Sequence, residues 1–116
     1  MLTGSFEKKQ IEKGNFIEHQ FQKTDKMSSY LFSFVAGKFT KEKKNPGAFD
    51  MEFLYRENNE EKIKESVGEV FNVHQKSIDF LEAYTGQSFP FQKMDFAAIP
   101  SFQYGGMEHV LSLIHI

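Results

Sequence analysis

The stretch that decides the fold runs from Asn59 to Gly86, NEEKIKESVGEVFNVHQKSIDFLEAYTG. Ile63, Val67, Val70, Phe71, His74, Ile78, Leu81 and Tyr84 recur at intervals of three or four residues. That spacing draws one apolar stripe along an α-helix. Asn58 or Asn59 supplies a capping oxygen for the first orphan amides, and Glu60 and Glu61 suit the positive end of the helix dipole. Gly86, directly after Thr85, marks the stop. The reading predicts one helix over residues 60–84. Gly68 inside it costs about 1 kcal/mol relative to alanine, and close packing is its expected reason. His74 lies on or beside the stripe and reads as a partly buried packing histidine.

Upstream of the helix, Phe49, Met51, Phe53 and Tyr55 alternate with Asp50, Glu52 and Leu54, the period of a strand. Asn45-Pro46-Gly47 is a turn signal. The stretch before it, Lys38-Phe39-Thr40-Lys41-Glu42-Lys43-Lys44, is the natural antiparallel partner, and its lysines read as a solvated edge rather than a phosphate or nucleic-acid site. Ser29 to Gly37 carries the strongest strand signal. Tyr30, Phe32 and Phe34 share one face, Leu31, Ser33 and Val35 the other, which predicts a central strand. Asn15 to Phe21 reads as a short further strand. Downstream, Phe89-Pro90-Phe91 is a rigid connector, and Met94 to Ile99 is a short apolar strand ended by Pro100. A glycine-bearing loop, Ser101 to His109, follows.

Composition narrows the function classes. The 116 residues carry 14 Lys plus Arg against 16 Asp plus Glu, a net charge of −2. A near-neutral chain has no broad field for nucleic acid or an anionic membrane. Cysteine is absent, which excludes disulfides and cysteine metal sites. Phenylalanine is the outlier at 14 residues, with no tryptophan. No apolar run approaches the roughly 20 residues of a membrane span. The first residues show no signal-peptide pattern, and the compartment stays open between bacterial cytoplasm and periplasm.

The histidines, His19, His74, His109 and His115, include no pair at the i, i+4 spacing of a helical zinc motif. No serine has a nucleophile elbow around it, and Gly105-Gly106 lacks the frame of a phosphate loop. What remains is Tyr104-Gly105-Gly106-Met107-Glu108-His109. Paired glycines admit either close approach of a ligand to the backbone or a turn with positive φ. A carboxylate just beyond them can meet a cation. Glycine-pair loops are common, so on bare physics an ordinary structural loop is the favoured reading.

Three stretches, in order, resemble the aminopeptidase N-like family of zinc metallopeptidases, the gluzincin aminopeptidases that include leukotriene hydrolase. Ser29 to Phe39 resembles a strand late in that family's N-terminal β domain. Phe80-Leu81-Glu82-Ala83-Tyr84-Thr85-Gly86 with Phe89 to Asp95 resembles the first long helix of the catalytic domain and its exit. Phe96-Ala97-Ala98-Ile99-Pro100, then Phe102 to His109, resembles the strand and the G-x-M-E-N exopeptidase motif. Residues 4–28 fit loosely as a preceding hairpin.

The resemblance implies an α+β fold: antiparallel strands from the end of an N-terminal β domain, then the first long helix and strand of a thermolysin-like catalytic domain. The implied division is residues 1–56, 57–109, and a non-native tail at 110–116. It also implies substrate-binding roles. Glu108 would bind the free α-amino group of a peptide substrate, and the Gly105 and Gly106 backbone would lie along the peptide. Met107 would support the loop, and Gln103 and Tyr104 would line the pocket for the first side chain. His109 stands where asparagine is usual and is read as variation. The cofactor implied for the parent protein is zinc. Its ligands and the catalytic residues are expected beyond this chain, which is therefore expected to bind no catalytic zinc and to be inactive alone. Leu111 to Ile116 resembles the translated end of a sequencing adapter; the other reading is a genuine short apolar strand. Two further readings are a non-catalytic β-plus-helix binding module and a leukotriene-hydrolase-like member of the same family.

Overall fold

A computed structural model describes residues 7–24, 26–45, 47, 49–100, 103, 105–109 and 112–115, with backbone only at 7, 8, 108, 109 and 112–115. Among the described residues, seven strands and one long helix follow in the order β1 (Glu7–Lys13), β2 (Phe16–Phe21), β3 (Thr40–Lys44), β4 (Asp50–Tyr55), α1 (Glu60–Thr85), β5 (Lys93–Ala98), β6 (Gly106–His109) and β7 (Ser112–His115). β1 and β2 form a hairpin, and the others form one sheet in the order β3-β4-β5-β7-β6. The result is a mixed α+β fold. β3–β4 and β6–β7 are antiparallel, while β4–β5 and β5–β7 are parallel.

The helix forms where its stripe predicts. Asn59 Oδ1 accepts hydrogen bonds from the Glu61 and Lys62 amides at 3.0 and 3.1 Å. Gly86 closes the other end at φ 68°, and its amide donates to the Glu82 carbonyl at 2.9 Å. Only glycine enters that left-handed region without strain.

α1 is the crossover between parallel β4 and β5, and its stripe lies on both. Phe71 and Ile78 are buried with Phe49, Met51, Phe53, Tyr55 and Phe96, and Ile63, Val67 and Val70 pack at the margin. The parallel register sets Met51 beside Met94 and Phe53 beside Phe96, so both strands turn the same alternate residues toward the helix. Phe71 meets Phe53 and Phe96 edge-on, at 6.5 and 6.4 Å between ring centroids. His74 is the packing histidine expected. Its ring lies 3.9 Å from that of Phe96, and its Nδ1–H donates to the Val70 carbonyl at 2.7 Å.

Three expectations fail here. Ser29 to Gly37 is not a strand. A single 3-10 turn covers Ser29–Leu31, and Phe34 makes only an isolated bridge. Tyr30, Phe32 and Phe34 are 62%, 52% and 69% exposed. A strand needs paired backbone on its flanks and cover for its apolar faces. Among the described residues the other strands pair with one another instead. The helical stripe also ends early. Leu81 and Tyr84 are 54% and 80% exposed; at about 100° per residue Tyr84 stands roughly 120° or more around the helix from Ile78 and Phe71. Gly68, finally, is not closely packed: apart from the backbone of its own helix, a Cβ there would meet no described heavy atom within 4 Å.

The lysine-bearing stretch before the turn is the edge strand β3, exposed along its length. It pairs with β4 from Thr40–Tyr55 to Lys44–Met51. In the turn, Asn45 Oδ1 accepts from the Gly47 amide at 2.8 Å; Pro46 lies outside the described residues. The expected strand at 94–99 is β5. β1 and β2 supply the hairpin, closed by Gly14-Asn15, with Gly14 at φ 60°, the geometry that short hairpin turns require. β4 lies before the expected division at 56/57 and β5 after it, yet they are hydrogen-bonded along their length under one helix. The 112–115 segment is strand β7, inserted between β5 and β6. Val110, Leu111 and Ile116 lie outside the described residues.

Candidate functional site: a glycine-led edge strand

β5 is the buried floor from which the candidate segment departs. Phe96 and Ala97 have no exposure, so the chain leaves the core on a fixed strand and returns as β6. β6 is the outer strand of the sheet. One side pairs with β7, in the register Gly106–His115, Met107–Ile114, Glu108–Leu113 and His109–Ser112. No strand among the described residues pairs with the other side. An edge of this kind presents a row of backbone donors and acceptors to any extended chain laid beside it.

The sequence-predicted residues fall on this edge and its approach. Gln103 and Gly105 are exposed, Gly106 opens β6, and Met107 is half-buried. Glu108 and His109 occupy the next two positions of the strand. Tyr104 lies outside the described residues. Among the described residues, a Cβ on Gly105 would meet no heavy atom within 4 Å.

A second polar feature was not singled out from the sequence. On the sheet face away from α1, the Lys93–Asp95 ion pair is buried, its side chains 7% and 6% exposed. In register beside Asp95 stands Glu52, which meets Lys41 and Lys43 at 3.3 and 3.2 Å. Burial pushes the Asp95 carboxyl above its ordinary range; Lys93 opposes the shift and Glu52 adds to it. These groups border a cavity of about 960 Å³ whose other walls include Phe21, Phe34 and Phe39. The signal was present as charges at i, i+2 in three strands, but only the sheet order places them side by side. On the helix side, burial and the neighbouring Glu42 raise the Tyr55 hydroxyl. Among the described residues, no three His, Asp or Glu side chains form a group that could hold a metal ion. None of the described helices is long and apolar enough to cross a membrane.

Fold and edge together define a mixed α+β unit with a β-α-β core and a glycine-led outer strand. No family model matches the chain. It is 29% identical over 117 residues to aminopeptidase 2 of Candida albicans, covering 93% of this chain and 11% of that protein. It is 30% identical over 104 residues to glutamyl aminopeptidase of Mus musculus, 89% and 11% respectively. It is 31% identical over 111 residues to aminopeptidase N of Plutella xylostella, 84% and 10%. The chain is thus a distant, partial homologue of aminopeptidases and spans about a tenth of the length of these curated relatives.

Proposed function

We propose that this chain is a piece of a zinc-dependent aminopeptidase that removes N-terminal residues from peptides, and that it carries the segment that reads the substrate's free α-amino group. The observation that supports this best is the Gly105-Gly106-Met107-Glu108 run on an outer strand, in a chain homologous to three proteins named aminopeptidases. An extended peptide laid along β6 meets backbone groups first. Open space at Gly105 lets it approach closely. Glu108 is the group to accept charge-assisted hydrogen bonds from an ammonium. In this reading Gln103 and Tyr104 contribute to the pocket for the first side chain, and His109 closes the motif.

Zinc belongs to the parent protein. A catalytic zinc takes three protein ligands, and the described residues offer no such group, so no chemical step is assigned here to a metal. The chain's own part is positioning: a fixed amine fixes which peptide bond is presented for cleavage. A boundary before β3 suits the parent better than one at 56/57, because β3 and β4 belong to the same sheet as β5.

The test uses the completed full-length enzyme. Removing one partner of a desolvated charge pair costs about 2–5 kcal/mol, so Glu108→Ala is expected to lower kcat/KM by roughly 30-fold or more on a substrate with a free N-terminus. Glu108→Gln is expected to be milder. The N-acetylated substrate never makes the contact, so its disadvantage shrinks in the alanine variant. Equal fractional losses on both substrates would remove the amine-reading role.

A further inference from the structure

α1 carries a second apolar line. Val73, Phe80 and Tyr84 are 47%, 66% and 80% exposed. At about 100° per residue they fall within roughly 40° of one another and about 120° or more from the buried Phe71–Ile78 line. Phe80 and Tyr84 are stacked, with ring centroids 6.0 Å apart and planes 12° from parallel. Leu81, 54% exposed, lies between this line and the buried one. A globular helix that buries one stripe ordinarily presents polar residues on the rest of its surface. Two stacked aromatics and two aliphatics on one helix, clustered toward its C-terminal end, depart from that pattern.

We infer that this line is a docking surface, and that its occupant is another segment of the same polypeptide, outside these 116 residues. The inference rests on the reading above that the chain is a piece of a longer enzyme. Its support is length. The homologous proteins are about ten times longer than the stretch they share with this chain, so a covering layer is available in the same molecule. The occupant is an apolar segment: the line itself offers aromatic and aliphatic surface with Ser77 as its one polar member. Hydrophobic burial along about three helical turns then fixes α1 from both sides, with β4 and β5 on one and the added segment on the other.

Hydroxyl-radical footprinting of the unmodified full-length protein tests this without a substitution. Labelling of Phe80 and Tyr84 in the native protein is compared with the same protein unfolded in urea, at two protein concentrations. The expected result is protection of both rings by about tenfold or more, independent of concentration. Labelling within about twofold of the unfolded rate would overturn the inference. Protection that disappears on dilution would overturn it too, by making a second copy the occupant. Arylamide hydrolysis, measured on the same preparation, separates the two readings. An inactive protein with both rings protected removes the aminopeptidase proposal and upholds this one. An active protein with both rings labelled freely does the reverse.

Discussion

The α1 stripe up to Ile78 and the aromatic row Tyr30-Phe32-Phe34 are both strongly apolar, and they end in opposite environments. Phe71 and Ile78 are 4% and 5% exposed, whereas the three aromatics of the row are more than half exposed. The buried stripe is a single line along the helix, and one sheet face, built by β4 and β5 at its two ends, is enough to cover it. The row belongs to a stretch apolar on both faces, which needs cover on two sides and backbone partners as well. Local pattern therefore predicts structure well where one neighbour completes it. It predicts poorly where several distant neighbours must arrive together.

The largest effect is expected where the contrast is sharpest. Phe96 has no exposure and touches Phe71 and His74. Phe96→Ala is expected to destabilise the chain by about 3–5 kcal/mol, while Phe34→Ala stays within about 0.5 kcal/mol. Urea unfolding followed by far-ultraviolet circular dichroism checks both. Comparable losses would mean that Phe34 is as well packed as the core.

The buried pair gives the next effect. Lys93→Met alone leaves Asp95 without its partner and is expected to cost about 3 kcal/mol or more. The double change Lys93→Met with Asp95→Leu removes both charges and is expected to recover most of that loss. A double variant as unstable as the single one would show that shape at this face matters more than charge.

Two helix substitutions sharpen the comparison further. Asn59→Ala removes the cap oxygen and is expected to cost about 1 kcal/mol. Gly68→Ala is expected to stabilise by up to about 1 kcal/mol, because the site is open and helical. A destabilised Gly68→Ala chain would restore the close-packing reading of that glycine.

The smallest effect is the pH dependence. Asp95 is raised by burial, so between its ordinary value near pH 4 and its raised value the native state holds more protons than the unfolded state. Its contribution to stability is present at acid pH and is lost as pH rises through the raised value. Glu57 runs the other way. Amide donation from Asn59 and Asn58 lowers it, so its contribution is present above the ordinary value and is lost as pH falls. The measurement is therefore a difference in melting temperature between wild type and Asp95→Asn, followed from about pH 3 to about pH 7. A difference that does not move with pH would show that Asp95 keeps its ordinary value.

Helix α1 was legible to within one residue because its signals are local: a cap, a stripe and a glycine stop. The β3–β4 hairpin was legible because a turn signal joins two short alternating runs. The parallel pairing of β4 with β5 was not, since nothing in residues 50–55 names a partner some forty positions away. Leu54 shows the same limit. Strand parity places it with Asp50 and Glu52, yet it is 4% exposed, covered on the face away from the helix. Of the candidate site, the order Gly105-Gly106-Met107-Glu108 could be read directly, but its place on an outer strand could not.

By itself the sequence determined the identity and length of α1, the alternation of β4, the edge character of β3 and the chemistry available at Glu108. Each rests on dihedral preference, periodicity or side-chain type within a few residues. Only the tertiary structure decided that β4 and β5 lie parallel beneath α1, that β7 enters between β5 and β6, and that Lys93, Asp95 and Glu52 share one face. It also decided that Ser29 to Gly37 forms no strand. Those outcomes depend on which distant backbones find each other and which apolar faces receive cover, and no local window contains that information.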